Sequence, residues 1–599
     1  CSSDLVATTL VLLAVFMPTA FLAGVSGQLY RQFALTIATA TFFSSINALT
    51  MSPALCALLL RPAPERRGIF FRVFNRLYEG SRTLYQRTVA LVVRRAVIIL
   101  PLYALLAGAA YLGFTNLPTG FLPMEDQGYA MLSVQLPDAA SKVRTDAVVA
   151  KINQRLATIP GLDSAVGVSG FSLLDGSNAP NAAAFWIILK PWDERKTPDL
   201  SLEAIVGNLW GMAYTMPDAN IFAFPPPAII GLGEAGGFQM ELQDRGGAGL
   251  PALQQMVQEI VHDANGQPGL AKVYSMFRAN VPQLYVDVNR TQAKTLDIPL
   301  NNIFNTLQSS LGSLYVNDFN RFGRTYQVNV QADAAFRRSP EAIRHLEVRN
   351  TRGEMVPLGA VVNVERTVGP QTISRYNLYP SASISGSAAP GYSSGDALKT
   401  MEALTAAKLP PSMGIEWTGM SLQEKRVAGQ ATGIFILAIV FVYLVLCAQY
   451  ESWSISLAII LVVPLALVGT VLALFIRQMD VNLYTQIGIV LLIGMAAKTA
   501  ILMVEFAKNL REGGMSIREA ATEAARLRYR PILMTGFTFI AGTFPLVIAA
   551  GPGAASRQAL GTAVCGGMLS AVLLMLFFVP CFYVVVQRLS ERIRRVEAE

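Results

Sequence analysis

The chain has 599 residues, of which 52% are hydrophobic and only 15% charged, against about 25% charged in an ordinary soluble domain. That deficit excludes an ordinary cytoplasmic enzyme, a disordered chain and a fibrous one. The net charge of +8 lies largely beside apolar runs, so it points to membrane topology rather than to nucleic acid.

In chain order, eight apolar spans are predicted, over 5–24, 34–60, 96–115, 429–448, 455–476, 483–506, 531–550 and 559–585. Each is read as long enough to cross about 30 Å of hydrocarbon as helix. The chain opens without Met and enters an apolar stretch at Leu5, and it reads as a piece of something longer. The links carry the charge. Arg61, Arg66, Arg67, Arg72, Arg76, Arg82, Arg87, Arg94 and Arg95 lie between the second and third spans. Lys508, Arg511, Arg518, Arg526, Arg528 and Arg530 precede the seventh, and Arg588, Arg592, Arg594 and Arg595 close the chain. Counting spans puts all three groups on one side, which the positive-inside rule makes cytoplasmic. The stretch 117–428 then projects outward. Within the first link, apolar residues alternate with arginines over 69–90. That suits a helix on the cytoplasmic interface or one packed on the bundle.

The outer block is α+β. Strands are predicted at Tyr129–Leu136, Ala183–Leu189, Phe238–Leu242, Gln283–Val288, Thr325–Val330 and Ser381–Gly386. Helices are predicted at Ser141–Leu156, Leu250–Asn265, Pro299–Ser309 and Gly395–Ala406. The recurring order suits small split β-α-β units. Val166–Asn178 reads as a Gly- and Ser-rich loop holding Phe171, Leu173 and Leu174, able to swing. Phe185, Phe222 and Phe224, with Trp186 nearby, could line a cleft that binds amphiphiles by area and stacking. An ordinary hydrophobic core is the competing reading for Phe185 and Phe224.

Lys498 is the most informative residue. It lies in IGMAAKTAILMVEF, behind a long apolar run, where an ammonium needs a partner or loses its proton. It is read as a member of an ion relay or as a structural lysine paired with an unseen acid. Thr535 and Thr538 follow Arg530 in the next span, with Arg528 at its cytoplasmic mouth. Their hydroxyls either join the relay or bond to their own backbone. No mid-span acid accompanies Lys498, so its counter-charge is expected on a helix outside this sequence. The five cysteines form no CxxC, and His262 and His345 lack an HExxH context, so no metal site, catalytic triad or disulfide framework is expected. No nucleotide-binding GxxxxGK[ST] loop occurs.

The stretches AVFMPTAFLAGVSGQLYRQFALTI, LPTGFLPMEDQG, SLYVNDFNRFGR, AAPGYSSG, AQYESWSIS, IGIVLLIGMAAKTAILMVEFAKNL and RYRPILMTGF resemble the resistance–nodulation–division (RND) multidrug exporters of Gram-negative bacteria, hydrophobe/amphiphile branch. The resemblance runs from about residue 10 to 585. It implies a C-terminal fragment, a little over half of a full-length member. The fold class it implies is an α-helical membrane bundle of eight of twelve spans. A large α+β periplasmic domain of split β-α-β porter subdomains and a docking insertion would stand on it. The implied division is 1–60 spans five and six, 61–95 a cytoplasmic link, 96–116 span seven, 117–428 the periplasmic region, 429–588 spans eight to twelve and 589–599 a tail. Within the periplasmic region, 129–224 would be the first porter subdomain, 225–283 plus 371–425 the second, and 284–370 the docking part.

The resemblance also assigns roles. Lys498, Thr535 and Arg528 match the family's proton relay, whose acidic members would lie outside the chain. Phe171 falls on the first phenylalanine of a switch loop between drug pockets. Leu173 replaces its second aromatic and Val166 an upstream pocket phenylalanine. Phe185 matches a deep-pocket position, and Phe222 and Phe224 match access-pocket positions. The implied activity is secondary transport, with small amphiphilic drugs exchanged for protons, no cofactor beyond the proton gradient and no catalysis. The implied partners are a homotrimer in inner-membrane lipid, a periplasmic adaptor and an outer-membrane channel. This chain alone is expected to be inactive. RND-type export of lipid or metal, and a non-transporting membrane scaffold with a periplasmic binding module, are the alternatives.

Overall fold

A computed structural model describes residues 2–22, 24–60, 69–233, 235–428 and 431–598. Cys1 and, from the expected basic link, Arg61, Arg66 and Arg67 lie outside the described residues.

Five helices come first: α1 (Ser2–Ala20), α2 (Gly24–Leu49), α3 (Met51–Leu59), α4 (Ile69–Arg94) and α5 (Ala96–Asn116). A β-α-β-β-α-β run follows: β1 (Tyr129–Gln135), α6 (Lys142–Leu156), β2 (Leu162–Ser172), β3 (Ser177–Leu189), α7 (Leu202–Tyr214) and β4 (Asn220–Phe224). Its antiparallel sheet has the order β2-β3-β1-β4. Helices α6 and α7 cover one face, because Ala130, Leu132 and Val134 alternate inward on β1 and meet Val148, Ile152, Ile205 and Leu209. Ser141 and Ser201 start the two helices by accepting the N–H of Arg144 and of Ala204.

Next come β5 (Phe238–Asp244), α8 (Leu250–Asn265), β6 (Leu270–Tyr274) and β7 (Val281–Val288). A smaller unit follows, with α9 (Arg290–Thr295), α10 (Leu300–Leu307), β8 (Leu314–Arg321), β9 (Arg324–Val330), α11 (Pro340–His345), β10 (Glu347–Arg349), β11 (Met355–Pro357) and β12 (Val362–Gly369). The block ends with β13 (Ser374–Tyr376), β14 (Tyr379–Ala388), α12 (Ser394–Lys408), β15 (Met413–Trp417) and α13 (Gly419–Ala428). The second large sheet runs β13-β14-β5-β15, with β6 also pairing β14, and packs against α8 and α12. β7 pairs with β12, β8 with β9 and β10 with β11.

The membrane part resumes with α14 (Ala431–Tyr450), α15 (Trp453–Ile460), α16 (Val463–Arg477), α17 (Leu483–Glu512), α18 (Ile517–Val547) and α19 (Ala554–Ala598). Helix α17 is the centre of the bundle, buried along most of its length. Asn482 starts it by accepting the Thr485 N–H, and a Ser516–Glu519 capping box starts α18. Helices α16 and α19 meet backbone to backbone. A Cβ on Gly469 would sit 2.1 Å from the Gly566 carbonyl oxygen, so only glycine permits this crossing. Thr470 and Ser570 donate across it to the carbonyls of Ala563 (3.1 Å) and Leu465 (2.5 Å).

Two features of the expected architecture are corrected. Among the described residues six helices, not eight, are long and apolar enough to cross a membrane: Gly24–Leu59, Ala96–Asn116, Trp453–Arg477, Leu483–Glu512, Ile517–Val547 and Ala554–Arg592. The expected spans at 5–24 and 429–448 fall on α1 and α14, in which the described apolar stretches are the shorter Thr8–Ala20 and Phe435–Tyr450. The outer block resolves into small open sheets of two, four and five strands, with every residue of β8 exposed. Sheets of this size do not establish split β-α-β porter subdomains or a docking insertion.

Candidate functional site

Two places gather the residues singled out by the sequence. The first is the middle of the bundle. Lys498 lies 15 residues past the start of α17, about 22 Å along its axis. Its flanks Ala496, Ala497 and Thr499 are buried, and the lysine is half-buried. Among the described residues Lys498 has no hydrogen bond or ion pair. Gly494, one turn earlier, packs on Leu12 and Val15 of α1. Residues four apart share a helix face, so Lys498 stands on the flank of α17 nearest α1.

Helix α18 packs against α17 and carries the other two residues. Thr535 is exposed, and its hydroxyl donates to the carbonyls of Pro531 (3.0 Å) and Ile532 (3.1 Å) of its own helix. Pro531 lacks an N–H and so loosens the ladder there, but its carbonyl remains a good acceptor. The Arg528 guanidinium lies over the Phe506 ring of α17, 3.5 Å from its centroid, a cation–π contact. The structure therefore joins Arg528 to α17, while no hydrogen bond joins Lys498 to Thr535.

The second place is the face of the four-stranded sheet that α6 and α7 leave uncovered. Strand alternation sorts the candidates. On β4, Ile221 and Ala223 turn to the helices, so Phe222 and Phe224 turn away. Phe224 pairs with Met131, Met131 with Trp186, and Trp186 with Val166. Val166, Trp186, Phe222 and Phe224 thus share one face across all four strands, with Val166 exposed, Trp186 and Phe222 half-buried, and Phe224 buried like its neighbour Met131. Phe185 is on the other face. It is 0% exposed among Leu132, Ile187 and the two helices, and it is a core residue. Gly167, directly opposite it, makes room: a Cβ there would stand 2.6 Å from the ring.

The stretch expected to be a swinging loop is a hairpin. Ser164–Ser169 pair with Ala183–Ile188, and after a register shift Phe171 pairs with Asn178 and Ser172 with Ser177. Phe171 and Leu173 are half-buried at its tip. Ser172 donates to Asp175 (2.8 Å) across the turn, and Ser169 donates to Asp146 of α6 (2.6 Å), which Lys142 also holds (2.9 Å). These partners, the Ser169 hydroxyl foremost, keep the Asp146 carboxyl below its usual range. Glycine and serine content alone suggested flexibility, but long-range pairing with an alanine-rich strand overrode it.

Phe222 is half-buried in an aromatic cluster that the sequence did not reveal. Its ring stacks on Tyr274 of β6 (4.7 Å, 26°) and meets Trp210 edge-on (6.1 Å, 82°). Trp210 donates to the Ala223 carbonyl (2.7 Å), and the Lys272 ammonium lies 5.0 Å over the indole. Burial lowers the Lys272 pKa. The only sequence signal was a Lys-Val-Tyr strand far from Phe222 in the chain. Tertiary packing brings the two sheets together here, with an Arg278–Asp138 ion pair across the same boundary. The arrangement offers flat apolar and cationic surfaces and few directional polar groups, which suits amphiphiles better than a single polar metabolite.

Among the described residues no group of three or more His, Cys, Asp or Glu could hold a metal ion. Comparison with known proteins gives the context. A family model described as the AcrB/AcrD/AcrF family matches residues 2–587. The chain is 42% identical over 596 residues to the toluene efflux pump membrane transporter TtgB of Pseudomonas putida, covering 98% of this chain and 56% of that protein. It is 41% identical over 596 residues to the multidrug export protein AcrF of Escherichia coli (strain K12), covering 98% and 57%. It is 40% identical over 598 residues to the multidrug resistance protein MdtF of the same Escherichia coli strain, covering 99% and 57%. The chain thus spans a little over half the length of the curated relatives it matches. The apolar helices and the large block between them make it a multi-pass inner-membrane protein with a periplasmic domain. The chain belongs to the AcrB/AcrD/AcrF family, RND secondary transporters and not enzymes.

Proposed function

We propose that the full-length protein exports hydrophobic and amphiphilic drugs by exchange for protons, and that this chain is its C-terminal part. The observation that carries the reading is Lys498, an ammonium half-buried in the central helix of the bundle. A scaffold gains nothing from keeping such a group in hydrocarbon, whereas a relay needs a charge whose partner changes. The acidic partner is proposed to belong to a helix outside this sequence. Arg528 and Thr535 are proposed as further relay members. Arg528 is supported by its seat on Phe506, and Thr535 by its place on the neighbouring helix α18.

Substrate is proposed to bind along the sheet face bearing Val166, Phe222 and Phe224 and at the hairpin tip with Phe171 and Leu173. Phe185 supports that face from behind, as core. A homotrimer, a periplasmic adaptor and an outer-membrane channel are the proposed partners, and the proton gradient the energy source. This chain expressed alone is proposed not to transport. The test is Lys498→Ala in the full-length protein, read by accumulation of a fluorescent amphiphile in cells. Loss of export at unchanged membrane level supports the relay. Undiminished export overturns it.

A further inference from the structure

Helix α4 carries two apolar stripes, and the bundle covers one of them. Tyr85, Val89 and Val93 are buried against the bundle. Tyr85 stacks on Tyr529 of α18 (4.5 Å) and donates to the Leu576 carbonyl of α19 (2.8 Å). The second stripe is Ile69, Val73, Leu77, Leu84 and Leu91, all exposed, Leu77 to 69%. At 3.6 residues per turn these five fall within about 40° of one line, on the side away from Tyr85 and Val89. Arg72, Arg76, Arg87 and Arg94 lie roughly 40° to 100° to one side of that line. All four are exposed, and among the described residues none makes an ion pair. They form a one-sided basic rail beside an uncovered apolar stripe.

The depth of the helix says what covers that stripe. Helix α5 runs from Ala96, just past α4, to Asn116 at the foot of the outer block, so α4 lies at the opposite, cytoplasmic end of the bundle. Its anchor on α19, Leu576, is 22 residues beyond Ala554, about 33 Å from the outer end. Its anchor on α18, Tyr529, immediately precedes the apolar part of that helix. Both mark the inner edge of a hydrocarbon layer about 30 Å thick. The exposed stripe also continues past Leu91 into Val97, Ile98 and Leu105 on the uncovered side of α5. An apolar stripe at this depth, continuous with the uncovered side of a span, fits lipid better than a soluble protein.

We infer that α4 is a binding surface for anionic lipid. The stripe from Ile69 to Leu91 enters the acyl boundary, and Arg72, Arg76, Arg87 and Arg94 take the headgroup phosphates of the cytoplasmic leaflet. The rail makes the surface selective for charge, which an apolar stripe alone is not.

The test titrates the purified full chain, in neutral detergent, with fluorescent phosphatidylglycerol and with phosphatidylcholine. Wild type is expected to prefer phosphatidylglycerol by about tenfold or more at low salt and to lose the preference at high salt. Replacing the rail (R72Q/R76Q/R87Q/R94Q) should abolish the preference, and the lysine version of the same four should keep it. The control R588Q/R592Q, which removes two exposed arginines on the same side of the membrane, should leave it intact. Circular dichroism confirms that each variant is folded. A wild type without preference, or a folded rail variant that keeps it, overturns the inference. Competition by millimolar inorganic phosphate as strong as by lipid also overturns it, since the site would then read phosphate and not a membrane.

Discussion

The bundle and the four-stranded sheet both use glycine at a close approach, for opposite reasons. At Gly469 two helix backbones touch, and the missing Cβ lets a carbonyl approach. At Gly167 the missing Cβ admits the Phe185 ring. In the bundle, polar side chains are satisfied within the protein, as Tyr30 is by Gln486 (2.8 Å) and Ser570 by the Leu465 carbonyl. Lipid offers them no alternative. The sheet instead leaves the β2 edge of one face open, with Val166 and Val168 exposed while Met131 and Phe224 further across are buried, because water can meet the exposed side chains. A charge left without an internal partner therefore means something in the bundle that it does not mean on the sheet, and Lys498 stands out for that reason.

The contrast can be broken most forcefully at Phe185. Phe185→Ala removes a fully buried ring and should destabilise the outer block by about 3–5 kcal/mol, measured as a lower thermal midpoint of the chain in detergent. A small loss together with a large change in drug binding would return Phe185 to the pocket lining. Next is the junction of block and bundle. Burial lifts Glu424 of α13 to about 7, with Asp480 and Asp396 adding repulsion. Ser394 of α12 donates to it (2.9 Å). The folded carboxyl thus holds its proton to higher pH than the unfolded one. Stability should be greatest below the ordinary glutamate range and fall as pH rises to about 7, by up to about 3 kcal/mol. Glu424→Gln should flatten that slope in thermal melts taken from pH 4 to 8.

Phe222→Ala should cost less, about 1–2 kcal/mol, since the ring is half-buried and its loss removes one stack on Tyr274. It should weaken amphiphile binding by fluorescence titration more than it lowers the thermal midpoint. Val166→Ala should change stability by no more than about 0.5 kcal/mol. A large stability loss there would show that the open face is covered in the folded chain.

Most of the secondary structure was legible. The strand through Ala183–Leu189 and the helix through Leu250–Asn265 have strong periodicity, and both stand in the structure. The strand β2 was missed because its glycines and serines have low strand propensity. Its partner β3 supplies the burial that the segment lacks by itself. The candidate sheet face was half legible. Aromatic content pointed to Phe222 and Phe224, but which of Phe185 and Trp186 faces the helices depends on register, and one residue of shift reverses the answer. Tyr274 and Lys272 were invisible as neighbours of Phe222, because their proximity comes from the meeting of two sheets.

By itself, then, the sequence determined the separation of apolar helices from a polar outer block and the isolation of Lys498 within a long apolar run. Those are properties of composition along the chain, and hydrocarbon enforces them locally. Only the tertiary structure decided that Phe185 is core and Phe222 a partner of Tyr274, and that α4 has a second, uncovered stripe. Side-chain direction and coverage depend on which distant segment packs alongside. That choice is made by many weak contacts at once, and no short window of sequence contains them.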